Sequence, residues 1–251
     1  MAGIKTKTPQ PKNDTSGRNN FQTPLYALDL IIPYLPFPGA RKIILEPAAG
    51  QMRLVDHLQR NYKIDVHAQD LFPYRDDCYK KNFLEMSKED LNVPIGRISC
   101  IVTNPPFSLK FEFITKCLEL DVPFALLIPF DMCGFLHDKF KNDGLGAIIP
   151  NRRIDYLTPN IVQRINDGET FVGINKGLEK DKKYKKIKDV PVEVWNKAVK
   201  VNFKEIDDVP VSIIKKYSSS DFHSFWITKG FNQPKDFTFV NLSLEDKKNV
   251  V

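Results

Sequence analysis

The chain has little that would build a disulfide framework, a metal centre or a membrane span. Its four cysteines, Cys78, Cys100, Cys117 and Cys133, are widely spaced, with no Cys-x-x-Cys pair. Cys100 lies in a strand-like run and Cys117 in a helical one, so both read as buried reduced thiols. His57, His67, His137 and His223 share no metal-ligand spacing, so no metal is expected. No apolar run is long enough to span a bilayer and no signal peptide is evident, so no membrane partner is expected. No internal repeat is visible. These absences leave a reducing cytoplasm as the expected setting.

What is present is enough for a full core. A chain of 251 residues with 42% hydrophobic and 27% charged residues reads as one domain with an insertion. A formal charge of +6 and a pI near 9.0 favour a polyanionic partner. Residues 1–20, rich in Lys, Thr, Pro, Asn and Gly, read as a disordered arm. Thr23 as cap and Pro24 in the first turn start a helix whose apolar face, Leu25, Leu28, Ile31 and Ile32, runs to Pro33. Lys42 to Leu45 and Ile64 to Ala68 read as strands, with a helix over Arg53 to Arg60 between them. Ile98 to Val102 and Phe124 to Ile128 are further strands, separated by a helix over Phe111 to Leu120. Alternation of this kind predicts an α/β fold, a mostly parallel sheet with helices on both faces.

Beyond residue 145 the pattern changes. Ala147 to Ile149, Arg152 to Leu157 and Asp221 to Thr228 read as strands. About 60 residues part the last two, far more than a hairpin loop uses, so 161–218 reads as an inserted subdomain. It holds a possible short helix over Val192 to Val201 and seven lysines between Lys176 and Lys188. Lys182, Lys183, Lys185 and Lys186, interleaved with Tyr184, fit phosphate contact or a solvated loop. Arg152 and Arg153 fit either backbone contact with a nucleic acid or the solvent-facing end of a strand. The tail, 241–251, reads as loose.

Two stretches carry chemistry. Asn104-Pro105-Pro106-Phe107 follows the strand at 98–102, at the carboxyl end where open α/β sheets bind ligands. Asn104 supplies a side-chain acceptor, Pro105 a carbonyl and Phe107 a flat apolar face. The two prolines fix φ and remove two donors, leaving acceptors free for an amine on an aromatic ring. Glu46-Pro47-Ala48-Ala49-Gly50 places a carboxylate and small residues where a backbone can approach a ligand, though Glu46 could equally cap or form a salt bridge.

Asn-Pro-Pro-Phe after a strand resembles the catalytic motif of S-adenosylmethionine-dependent amino-methyltransferases, most of all the N6-adenine DNA enzymes. Other stretches resemble that family in the order of its gamma arrangement: Phe21-Gln22-Thr23-Pro24, then Ile44 to Gly50, then Asp70, then Asn82-Phe83-Leu84. The resemblance implies a Rossmann-like class I methyltransferase with a mostly parallel seven-stranded sheet. It also implies an antiparallel C-terminal hairpin, which here carries the long insertion. The catalytic domain would then be 21–160 and 219–240. S-adenosyl-L-methionine is the implied cofactor, held by Phe21, Thr23, Pro24, Glu46, Pro47, Ala48, Gly50, Asp70, Leu71, Asn82, Phe83 and Asn104. DNA is the implied partner, with transfer to the N6 amine of adenine. The setting is then the cytoplasm of a bacterium, an archaeon or a virus-infected cell. An RNA base amine or a protein glutamine suits the same motif, and a non-catalytic nucleic-acid-binding subunit with a decayed pocket is a further alternative.

The chain departs from the family twice. Met52 stands where a second glycine is usual, and could narrow the cofactor space or pack aside. Asn82 replaces an Asp, keeping an acceptor but losing its charge. Asp70 suits ribose hydroxyls or a solvated loop, and Phe83 suits an adenine flank or plain core.

Overall fold

The computed structural model describes residues 21–37, 42–130, 133–156, 200–201, 213–214, 222–243 and 245–248. Its strands are β1 (Ile43–Glu46), β2 (Asp65–Asp70), β3 (Tyr79–Lys80), β4 (Asn92–Val93), β5 (Gly96–Arg97), β6 (Cys100–Thr103), β7 (Phe124–Pro129), β8 (Gly146–Pro150), β9 (Lys200–Val201), β10 (Ile213–Ile214), β11 (Ser224–Lys229) and β12 (Phe237–Val240). Among the described residues, four helices accompany them: α1 (Leu25–Asp29), α2 (Arg53–Tyr62), α3 (Lys110–Leu120) and α4 (Gly134–Asn142).

Eight strands form one sheet in the order β12-β8-β11-β7-β6-β1-β2-β3. All neighbours run parallel except at β11, which is antiparallel to both β7 and β8. The expected mostly parallel α/β sheet is therefore present. It has eight strands where seven were expected, because Phe237–Val240 adds an edge beside β8.

Side chains of the central strands alternate between two cores, as the pleat requires when both faces are covered. Along β7, Phe124, Leu126 and Ile128 enter one cluster with Phe113 and Ile114 of α3; Ala125 and Leu127 enter the other with Leu28 of α1 and Val55 of α2. Trp226 of β11 is fully buried, and its indole N–H donates to the Ala27 carbonyl at 2.8 Å, pinning α1 to the sheet. Asp29 Oδ1 lies 2.6 Å from His57 Nε2 and accepts from Tyr62 Oη at 2.7 Å, which ties α1 to α2.

Several local expectations change. Thr23 does not cap α1: the helix starts at Leu25 with Pro24 in the cap position, and it ends at Asp29 before a 3-10 turn over Ile32–Tyr34. Residues 152–156 form no strand. The Asp155 N–H donates to Tyr26 Oη, and Tyr156 joins an aromatic cluster, so side chains take the place of a ladder. The antiparallel partner of β11 on that side is β8. The tail expected to be loose is held as far as Lys248: Leu242 is buried, its N–H donates to Asn151 Oδ1, and Lys247 pairs with Asp155. Lys200–Val201, at the end of the expected helix over 192–201, pairs as strand with Ile213–Ile214. The rest of that helix and Lys182, Lys183, Lys185 and Lys186 lie outside the described residues, as do residues 1–20. Among the described residues, no helix is long and apolar enough to cross a membrane.

Candidate functional site

A cavity of about 310 Å³ opens where β1, β2 and β6 end, its wall including Glu46, Asp70 and Asn104. That is the carboxyl edge where sequence order reverses in an open α/β sheet.

The turn after β1 forms one shoulder. Gly50 has φ +49, a left-handed backbone that favours glycine, and its N–H donates to Asp70 Oδ2 at 2.9 Å. The Phe72 N–H donates to Asp70 Oδ1 at 2.8 Å, so both carboxylate oxygens are anchored. Burial pushes the Asp70 carboxyl above its ordinary value, against the pull of these two bonds. Gln22 reaches in from the N-terminal segment and accepts from the Gln51 N–H at 3.3 Å. A Cβ at Gly50 would lie 3.3 Å from Gln22 Oε1, so a side chain there would also press on the Gln22 amide.

Met52 resolves one departure from the family pattern. Its backbone is left-handed, with φ +65, the conformation a glycine would serve. Its side chain is buried in the core on the α1 and α2 side and does not line the cavity. The thioether packs aside.

Glu46 is 1% exposed, and its carboxyl is pushed up to about 8. Burial is the main cause; the Thr103 hydroxyl and the Ala48 N–H pull the value down, and Asp70 pushes it up. Its carboxyl is therefore mostly protonated at neutral pH. Ala48 N–H donates to Glu46 Oε1 at 3.1 Å.

The opposite wall is more apolar. Asn82 Oδ1 accepts from the Leu84 N–H at 3.2 Å and its amide donates to Glu85 at 2.7 Å, so the side chain caps a 3-10 turn over Phe83–Glu85. Phe83 is both core and cavity wall, its ring 4.8 Å from that of Phe113. Leu71 and Phe72 stand at the mouth, exposed by 48% and 43%. Arg75 fixes their loop to α2 through paired bonds of 2.9 and 3.0 Å to Asp56.

Asn104 closes the crevice from β6. Its Nδ2 donates to the Phe21 carbonyl at 3.3 Å, which fixes which end of the amide faces inward. Its Oδ1 is buried with no hydrogen-bond partner. Pro106 lines the cavity, whereas Pro105 is buried beneath it and Phe107 faces an adjoining corner. There Phe107 meets Phe21, Tyr156 and Phe222 edge-on, at centroid distances of 6.4, 5.4 and 5.6 Å. Phe21 and Tyr156 stack at 5.8 Å. Phe21 belongs to both cavity and corner.

The cavity thus gathers Phe21, Thr23, Glu46, Pro47, Ala48, Gly50, Asp70, Leu71, Asn82, Phe83, Asn104 and Pro106; Pro24, Pro105 and Phe107 lie outside its wall. Arg152 and Arg153 are exposed close in sequence to Tyr156. Sequence reading missed Gln22, Gln51 and Arg53, which also line the cavity, and Tyr156 and Phe222 in the corner. Gln22 was visible inside the Phe21 to Pro24 stretch, but only the fold brings the two rings to Phe107. Among the described residues, no group of three or more His, Cys, Asp or Glu could hold a metal ion.

Compared with known proteins, the chain matches no family model and no curated protein.

Proposed function

We propose that this chain transfers a methyl group from S-adenosyl-L-methionine to the N6 amine of adenine in DNA. One observation carries the reading. The Asn104 carbonyl oxygen is buried and without a donor, on the wall of the same cavity as Gly50 and Asp70. A buried orphan acceptor costs about 1–3 kcal/mol, which a bound N–H donor would recover.

The residues present fit the cofactor. Asp70 anchors each oxygen with one backbone N–H and keeps lone pairs for ribose hydroxyls. Leu71, Phe83 and Leu84 offer apolar surface to an adenine ring. Gly50 permits close backbone approach, and Met52 leaves the space open. The single antiparallel strand β11, set between β7 and β8, also agrees with the class I methyltransferase arrangement.

When bound, the cofactor supplies a methyl group made electrophilic by its sulfonium. The chain's part is positioning and preorganised dipoles. Asn104 Oδ1 and the Pro105 carbonyl accept the two hydrogens of the amine, favouring the pyramidal geometry that frees its lone pair. No strong base is needed before attack, since the amine gains acidity as it is alkylated. The corner around Phe107 receives the target ring, which in a duplex must first be flipped out. Arg152, Arg153 and the lysines at 182, 183, 185 and 186 contact phosphate.

Labelled-methyl transfer onto DNA, RNA and protein, followed by nucleoside analysis, tests this. N6-methyladenine in DNA is the expected product. Label confined to RNA or to glutamine would move the acceptor. No transfer, with no heat from S-adenosylmethionine at millimolar concentration, would favour a non-catalytic nucleic-acid-binding subunit.

A further inference from the structure

The cavity lining holds an acidic and a basic group at the Gly50 shoulder. Glu46 ends β1, and Arg53 opens α2. Both residues line the cavity, and in sequence they flank the small-residue turn. We propose that Arg53 binds the carboxylate of the cofactor's amino-acid end, an assignment that rests on the methyltransferase reading above.

The geometry favours an anion of this size. Arg53 Nε donates to the Thr23 carbonyl at 3.5 Å, which sets the guanidinium against the N-terminal segment. The planar fork suits a carboxylate. Burial lowers the Arg53 pKa to about 10, against the opposing pull of Asp56, so the group stays cationic at neutral pH. The first turn of α2 adds its own positive end.

The other charges on the wall narrow the choice of ligand. Asp70 would repel a phosphate dianion, and Lys81, the other cation on the lining, is paired with Asp90. A zwitterion can set its carboxylate on Arg53 and its ammonium beside the Glu46 carboxyl, which a neighbouring cation would draw into its ionised form.

Calorimetry on the full chain tests the assignment with two probes. S-adenosylhomocysteine carries the amino-acid end; 5′-methylthioadenosine is the same adenosine thioether without it. Arg53→Met should weaken S-adenosylhomocysteine by about 10- to 100-fold and leave methylthioadenosine within about 2-fold. Arg53→Lys, keeping the charge but not the fork, should fall between, and covers the case in which the Met variant does not fold. Equal weakening of both probes, or no change for either, overturns the role of Arg53 alone. Wild-type protein that binds neither probe overturns the methyltransferase reading, and this assignment with it.

Discussion

The two ends of the crevice solve their polar groups differently. At the glycine turn, the carboxylates and backbone are matched from within: Asp70 takes N–H groups from Gly50 and Phe72, Glu46 takes one from Ala48, and Gln22 takes one from Gln51. Among the described residues, the one side-chain oxygen left buried and unmatched there is Gln51 Oε1, on the cavity lining. At the other end, Asn104 uses its amide N–H on Phe21 and leaves its carbonyl oxygen buried and unmatched. The first end is already in a binding shape. The second holds its unmatched acceptor on the strand-end motif itself, directly after β6. In an enzyme, that division separates a site that holds from a site that reacts.

The sharpest way to break the comparison is at Asn104. Asn104→Ala should lower methyl transfer by about 100- to 1000-fold, by analogy with removal of one preorganised hydrogen-bonding group from an active site. Binding of S-adenosylhomocysteine by calorimetry should change little, because the Gly50 shoulder keeps its own bonds. Transfer at the wild-type rate would remove the proposed role. Matching losses in transfer and binding would instead show that the two ends are one unit.

Glu46 probes the holding end. Its carboxyl is raised from an ordinary 4.5 to about 8, so between those values the unfolded chain is ionised and the folded chain is not. Stability therefore falls as pH rises from about 4.5 to 8, and stays flat above. The penalty above pH 8 is roughly 2–4 kcal/mol after allowing for relaxation around the buried group. Glu46→Gln is neutral throughout, so its advantage over wild type should grow across that window in urea titrations at successive pH values. An advantage that does not vary with pH would mean the carboxyl titrates normally. The same variant should bind S-adenosylmethionine more weakly, since it loses the group that can become a counterion.

Met52 divides backbone demand from side-chain identity. A glycine there would relieve the left-handed strain but leave an unfilled space in the core. Met52→Gly should therefore destabilise by about 1–3 kcal/mol in urea unfolding, the loss of buried apolar volume outweighing the relief. S-adenosylhomocysteine affinity should not rise, because the Met side chain is not on the cavity wall. A gain in affinity would show that the thioether does intrude.

The difference between the two ends also explains what could be read in advance. Strand, turn and helix at 43–62 are contiguous, so apolar alternation and Gly50 were enough to place that shoulder. Asn104 was legible for the same reason, directly after β6. Arg152 to Leu157 looked like a strand because its apolar residues alternate, yet Ile154 and Tyr156 are buried by packing with no ladder. No local signal shows that the Asp155 N–H will find Tyr26, 129 residues away. Pairing of β8 with β11 across more than 70 residues was equally hidden, since a hydrophobic run does not name its partner. The eighth strand at Phe237–Val240 went unread because Phe237 and Phe239 are exposed at an edge, away from the core.

The aromatic corner is the least local feature, drawn from residues 21, 107, 156 and 222, and it gives the finest test of the division. Phe107 makes three edge-on ring contacts and does not line the cavity. Phe107→Leu keeps apolar volume and loses the ring. Edge-on aromatic pairs are worth about 0.5–1.5 kcal/mol beyond their area, so the fold should tolerate the change. If the corner receives the target ring, KM for DNA should rise by roughly 3- to 10-fold, toward the low end of stacking energies because neighbouring rings remain. S-adenosylhomocysteine affinity should stay fixed, since the holding end contributes no atom to Phe107's ring contacts beyond Phe21. A shift in cofactor affinity with KM unchanged would assign the corner to the N-terminal segment, as packing that steadies Phe21, and would leave the target ring to another surface.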